Sequence, residues 1–145
     1  MKRIILFVVV IVVLGGGIYL YKRYTAKVPS LIDLKTEEKI AATDLIAAFE
    51  KDSSNANNKF LGKILEVDGM IKNIDQESST VALGDSTNTS SVRCSMDSSF
   101  VKTLTSLNLG SKLTIKGACT GFMPDETGLG LGSDVVLNRC VIEKK

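Results

Sequence analysis

From Ile4 to Tyr21 the chain carries no charged residue, and this run, "IILFVVVIVVLGGGIYLY", lies between Lys2-Arg3 and Lys22-Arg23. At the helical rise per residue, about 18 such positions are enough to cross the hydrocarbon core of a bilayer. A small domain cannot cover a segment that is apolar on every side, so the run reads as a membrane anchor and not as a core helix. A secretory signal would have a shorter apolar core and a small-x-small cleavage site, whereas this run ends in the bulky Tyr19, Leu20 and Tyr21 and then in a basic cluster. With no cysteine before Cys94, a lipid-modified N-terminal cysteine is not expected. Basic residues flank both ends, which leaves the positive-inside rule nearly balanced. The expected arrangement has the N-terminus inside and the following domain outside, in an oxidising compartment that suits its cysteines. The organisation expected is an anchor with basic flanks over residues 1–24, a juxtamembrane linker over 25–35 and a folded domain over 36–145.

The anchor changes the meaning of the formal net charge of +2. Lys2, Arg3, Lys22, Arg23 and Lys27 flank it, which leaves 13 basic against 16 acidic side chains beyond residue 30. Tyr19, Tyr21, Tyr24 and Phe7 also belong to the anchor region, so the aromatics of the domain are Phe49, Phe60, Phe100 and Phe122. An acidic domain without Trp or Tyr lacks both the basic groove and the stacking platforms by which single-stranded nucleic acid is held, so nucleic acid is an unlikely partner. The chain has no histidine. That removes the commonest general base, and no catalytic residue is expected.

Along the domain the hydrophobic period alternates between helix and strand. Ile40, Leu45, Ile46 and Phe49 recur at helical spacing, with Thr36 as a candidate N-cap and the polar stretch "DSSNANN" as the expected end. Beyond Lys59 the period becomes two: Leu65, Val67 and Ile71 alternate with Glu66, Asp68 and Lys72, predicting a long strand over 63–75 with Gly69 as a bend or bulge. Shorter strands are predicted over 80–84 and 91–96. A second helix is predicted over 97–110, with Asp97 as N-cap and Phe100, Val101, Leu104 and Leu107 as its stripe. Strands then follow from Ser111 to Gly121 and over 133–142, where a change of parity predicts a bulge near Asn138-Arg139. Helix, three strands, helix, two strands is the order of an OB-fold, a five-stranded Greek-key barrel. The predicted fold class is thus an all-β core with helices, behind an N-terminal transmembrane helix.

Particular residues strengthen this reading. "KFLGKILEVDGMIKNI" (59–74), "VRCSMD" (92–97), "LGSKLTIKGACTGF" (109–122) and "DVVLNRCVI" (134–142) resemble the tRNA-anticodon-like OB-fold family, small bacterial proteins often carried behind a membrane anchor or lipoprotein signal. The resemblance spans about residues 36–143 and includes Gly62, Gly69, Gly110, Gly117, Gly121 and all three cysteines. It implies the OB-fold and brings no catalytic residue with it.

Cys119 and Cys140 lie symmetrically about a hairpin centred near Leu129-Gly130, which predicts a disulfide between them with Cys94 left free. In an OB-fold, strand three borders strand five, so Cys94 could approach Cys140 instead. The cysteine spacing contains no C-x-x-C pair, and neither a metal nor another cofactor is expected. "GLGLGS" (128–133) sits between two strands among acidic residues and reads as a hairpin loop with positive φ at its glycines rather than as a phosphate loop. The ligand surface of an OB-fold is the outer face around strands two and three, rimmed by the loops after strands one and four. Here that rim would hold Asp75 and Glu77 on one side and Phe122, Met123, Asp125 and Glu126 on the other. The expected function is an extracytoplasmic binding or assembly module for a protein or peptide of the cell envelope, with a saccharide or other small ligand as the alternative.

Overall fold

The computed structural model describes residues 15–17, 19, 31, 34–126, 130 and 132–143. Most of the expected anchor, most of the linker and part of the 128–133 loop lie outside the described residues. Among the described residues no helix is long and apolar enough to cross a membrane. The elements are strand β1 (Glu38–Ala41), helices α1 (Ala42–Lys51) and α2 (Ser53–Phe60), and strands β2 (Ile64–Asp75), β3 (Thr80–Gly84) and β4 (Ser91–Met96). A 3-10 segment (Val101–Ser106) then leads to β5 (Lys112–Met123) and β6 (Asp134–Ile142).

Five strands in the order β2-β3-β4-β6-β5 close through a β2–β5 pairing into a mixed barrel, and β1 is added outside it. Closure removes the exposed edges that an open sheet of this size would present. The length of β2 makes it possible: Ile64–Met70 pairs with β5, and Met70–Asp75 pairs with β3. Leu65, Val67, Ile71, Val81, Leu83, Val92, Ile115, Val135 and Leu137 fill the interior, as their period of two requires. Helix α1 plugs the end where β3 and β5 finish and β4 and β6 begin, burying Leu45, Ile46 and Phe49. Gly69 lies under its first turn, where a Cβ would come within 2.9 Å of the Ala42 Cβ.

Three expectations about the helices are corrected. Residues 38–41 are not helical but pair in parallel with Leu65–Asp68, because the first half of β2 would otherwise present a bare edge there. The polar run after Lys51 starts a helix where it was expected to end one: the Asp52 carboxylate accepts from the Asn55 N–H at 3.0 Å and caps α2, whose Ala56 and Phe60 are buried. The segment after Asp97 is a 3-10 turn and not an α-helix, although Leu104 is buried and Phe100 and Leu107 pack against the core as their spacing predicts.

The bulge near Asn138-Arg139 is present, with Arg139 at φ 56° and the β4–β6 register shifting between Cys94/Met96. The register of the last hairpin corrects the cysteine pairing. Cys119 lies opposite Leu137 and not opposite Cys140, because β5 and β6 pair about a centre earlier in the loop than Leu129-Gly130, which leaves Cys140 beside Gly117. Among the described residues all three cysteines are free thiols and buried.

Candidate functional site

The two predicted rims form at opposite ends of the barrel. Asp75 ends β2 and builds the turn into β3, its carboxylate accepting from the Glu77 and Ser78 N–H groups at 3.0 and 3.2 Å and from the Ser78 hydroxyl at 2.6 Å. These donors favour the ionised form and hold the Asp75 carboxyl below the ordinary carboxylate range. Glu77 is exposed in the same turn. The other rim lies a strand length away, where Ser91 pairs with Asp134, whereas Thr80 pairs with Ser95 near the first rim.

At this second rim the adjacent Phe122 and Met123 have different roles. The Phe122 ring stacks on Phe49 of α1 at 5.1 Å between centroids, and Phe49 in turn contacts Phe60 at 6.0 Å. Phe122 therefore belongs to the plug of the barrel end. Met123 is 59% exposed, and Glu126 is exposed beside it. The Asp125 N–H donates to the Ser133 hydroxyl at 3.3 Å. Nearby, Gly132 adopts φ +85° and lies so close to the Thr89-Ser90 backbone that an added Cβ would meet the Thr89 carbonyl carbon at 2.4 Å. The Ser90 hydroxyl donates to Glu50 of α1 at 2.6 Å, and the Lys72 ammonium donates to the carbonyls of Asn88, Thr89 and Ser90 at 2.5, 3.2 and 2.8 Å. The Lys72 bonds tie the 88–90 loop to β2, and the Ser90 bond fastens that loop to the helix.

The outer face of β3 and β4 between the rims carries Thr80, Ala82, Arg93 and Ser95. Its one cation, Arg93, is paired with Asp134 at 2.7 Å, and Asp134 also accepts from the Ser91 hydroxyl. Among the described residues of the domain no aromatic side chain stands on this face, since Phe49 and Phe60 are fully buried and Phe100 and Phe122 pack against the core.

A concavity that sequence reasoning missed lies elsewhere. One edge of β2 is paired with β1 through Asp68 and with β3 from Met70, so the partner changes at Gly69. At this fork is a cavity of about 720 Å³, lined by the junction of β1 and α1 (Ala41–Thr43), by Asp68–Met70, by Gly84 and Asp85, by Lys112–Thr114 and by Glu143. Its apolar part includes Met70, 44% exposed, and Leu113. The polar part includes Asp68, which accepts from the Thr114 hydroxyl, and Asp85, whose carboxyl is lowered chiefly by hydrogen bonds from Thr87. The available signal was Met70 itself, a large apolar residue at the outward parity of β2 shared with Asp68. Among the described residues no group of three potential metal ligands converges.

Comparison with known proteins agrees with this architecture. The tRNA_anti-like family model matches residues 1–140. A crystal structure from Klebsiella pneumoniae, described as a "putative nucleic acid-binding lipoprotein", is similar with a TM-score of 0.50 and 20% identity, covering 73% of this chain and 92% of that one. At that identity the likeness concerns the fold. No curated protein matches the chain.

Proposed function

The chain belongs to the tRNA_anti-like family, and on that premise we propose that it is a membrane-anchored, extracytoplasmic OB-fold module that binds a protein or peptide of the cell envelope without catalysis. Placement at the membrane rests on the uncharged run from Ile4 to Tyr21. The observation that carries the choice of partner is the fork cavity, with an exposed Met70 and Leu113 among carboxylates and Lys112. A concave, partly apolar surface with a few polar groups suits a peptide segment, whose side chains need pockets and whose backbone needs hydrogen-bonding groups. The face between the rims suits nucleic acid poorly: among the described residues its arginine is already paired with Asp134, and no ring stands on it for a base to stack on.

The test uses the full-length protein in its native membrane, with a photo-crosslinking benzoylphenylalanine at Met70 in one variant and at Thr80 in another. A protease-sensitive adduct from position 70, absent from position 80, is expected. A nuclease-sensitive adduct from position 80 would replace the proposal with the nucleic-acid reading. Binding on a glycan panel that Met70→Glu abolishes would replace it with the small-ligand alternative.

A further inference from the structure

Three buried thiols sit in this barrel, and two of them are diagonal neighbours across the parallel β4–β6 pair. Along the parallel β4–β6 pair, Cys94 lies opposite Leu137 and Met96 lies opposite Cys140. The bulge between them, with Arg139 at positive φ, brings Cys140 back to the interior parity after two exposed residues, Asn138 and Arg139. Cys94 and Cys140 are both fully buried and are diagonal neighbours on the inner wall, one residue level apart across the parallel pair. The opposite strand makes room for that sulfur. A Cβ at Gly117 would stand 2.6 Å from the Cys140 Sγ, so a side chain at 117 would displace it. Cys119 takes no part, being opposite Leu137 with its thiol shifted up by burial alone among raising influences.

We propose that Cys94 and Cys140 form an intramolecular disulfide across β4 and β6, leaving Cys119 as the free thiol. Bond formation removes two protons and two electrons from the pair, and a disulfide-bearing exchange partner accepts them. The thiolate of one cysteine attacks the donor disulfide, expelling one donor thiolate and forming a mixed disulfide. The second cysteine's thiolate then attacks the protein sulfur of that mixed disulfide, closing the Cys94–Cys140 bond and releasing the second donor thiolate. In the finished barrel neither sulfur is reachable, and hydrogen bonding to Cys94 together with burial holds the Cys140 thiol well above its ordinary range. Exchange therefore precedes the docking of β6, and the closed barrel then seals the bond from reductant.

In cells the bond depends on the extracytoplasmic placement proposed above, and the experiment separates the two. Full-length protein in detergent is unfolded, reduced and refolded in a glutathione/glutathione-disulfide buffer, and non-reduced peptides are mapped after alkylation. A 94–140 cross-linked peptide is expected, with Cys119 alone alkylated and the thermal midpoint about 15 °C above that of the reduced protein. Cys119→Ser should keep the cross-link, and Cys94→Ser should lose it. Three alkylated cysteines after this refolding, or a 119–140 cross-link, would overturn the proposal. The same mapping is repeated on protein taken directly from cells. Three free thiols there, with the 94–140 bond still forming in the refolding buffer, would leave the pairing intact and overturn the placement.

Discussion

Two outer faces of the same barrel carry charged side chains at outward positions, and only one of them is exposed. On the β3–β4 face, Arg93 and Asp134 stand in solvent as an ion pair whose side chains are 53% and 21% exposed. On the β2–β5 face, Glu66 and Lys116 are direct cross-strand partners with the same outward parity, yet they are only 7% and 6% exposed. The difference is the chain that lies over them. Thr36 and Lys39 donate to the Glu66 carboxylate at 3.5 and 2.7 Å, and the Lys116 ammonium donates to the Leu34 carbonyl. Leu31, within the expected linker, is itself buried. A polar position on a strand is therefore a surface position only until another segment lies on it, and then its charges need partners from that segment.

The largest expected effect tests that contrast directly. Glu66→Ala removes the buried carboxylate that accepts from Thr36 and Lys39 and should cost about 3 kcal/mol, whereas Glu66→Leu combined with Lys39→Leu, which keeps the covered site filled and unpaired charges out of it, should cost much less. Urea denaturation of the three proteins measures it, and equal losses from the single and double changes would mean that the covered pair behaves as a surface pair. Next in size is Phe122→Ala, which removes a half-buried ring stacked on Phe49 and should cost about 2 kcal/mol. Its neighbour Met123→Ala should stay within about 0.5 kcal/mol. Thermal melts of the two variants would show whether the second rim is half plug and half surface, as the stacking indicates.

Smaller still is the bare face. Arg93→Ala should change stability by less than about 1 kcal/mol, since an exposed ion pair contributes little, and that little should shrink further in high salt. A loss matching that of Glu66→Ala would erase the distinction between the two faces. The smallest effect concerns the turn carboxylates. Asp75, Asp85 and Asp97 all lie below the ordinary value of 3.8, chiefly through hydrogen bonds from Ser78, Thr87 and Ser99 respectively. A lowered folded-state pKa contributes stability that is present above 3.8 and lost as pH falls through the folded-state values. A shallow decline on the acid side of pH 4, flattened in the Asp75→Asn variant, is the expected melting profile.

The sequence by itself determined the barrel: the period-two runs, their order and the length of β2 name an OB-fold because alternation and strand spacing are local properties that any closed sheet must satisfy. It also determined Phe49 and Phe100 as core, and the parity change at Asn138-Arg139 located the bulge, whereas Phe122, expected on the ligand rim, was drawn into the plug by its stacking on Phe49. Only the tertiary structure decided the register of the last hairpin, since its centre within a glycine-rich loop leaves no mark in the alternation, and that centre sets Cys119 opposite Leu137. The burial of Glu66 depends on Thr36 and Lys39, about 30 residues earlier in the chain, and no window of local periodicity contains both. For the same reason the fork at Gly69 was invisible: the cavity exists because β1 leaves the edge of β2 where β3 arrives, and that handover joins segments that are far apart in sequence.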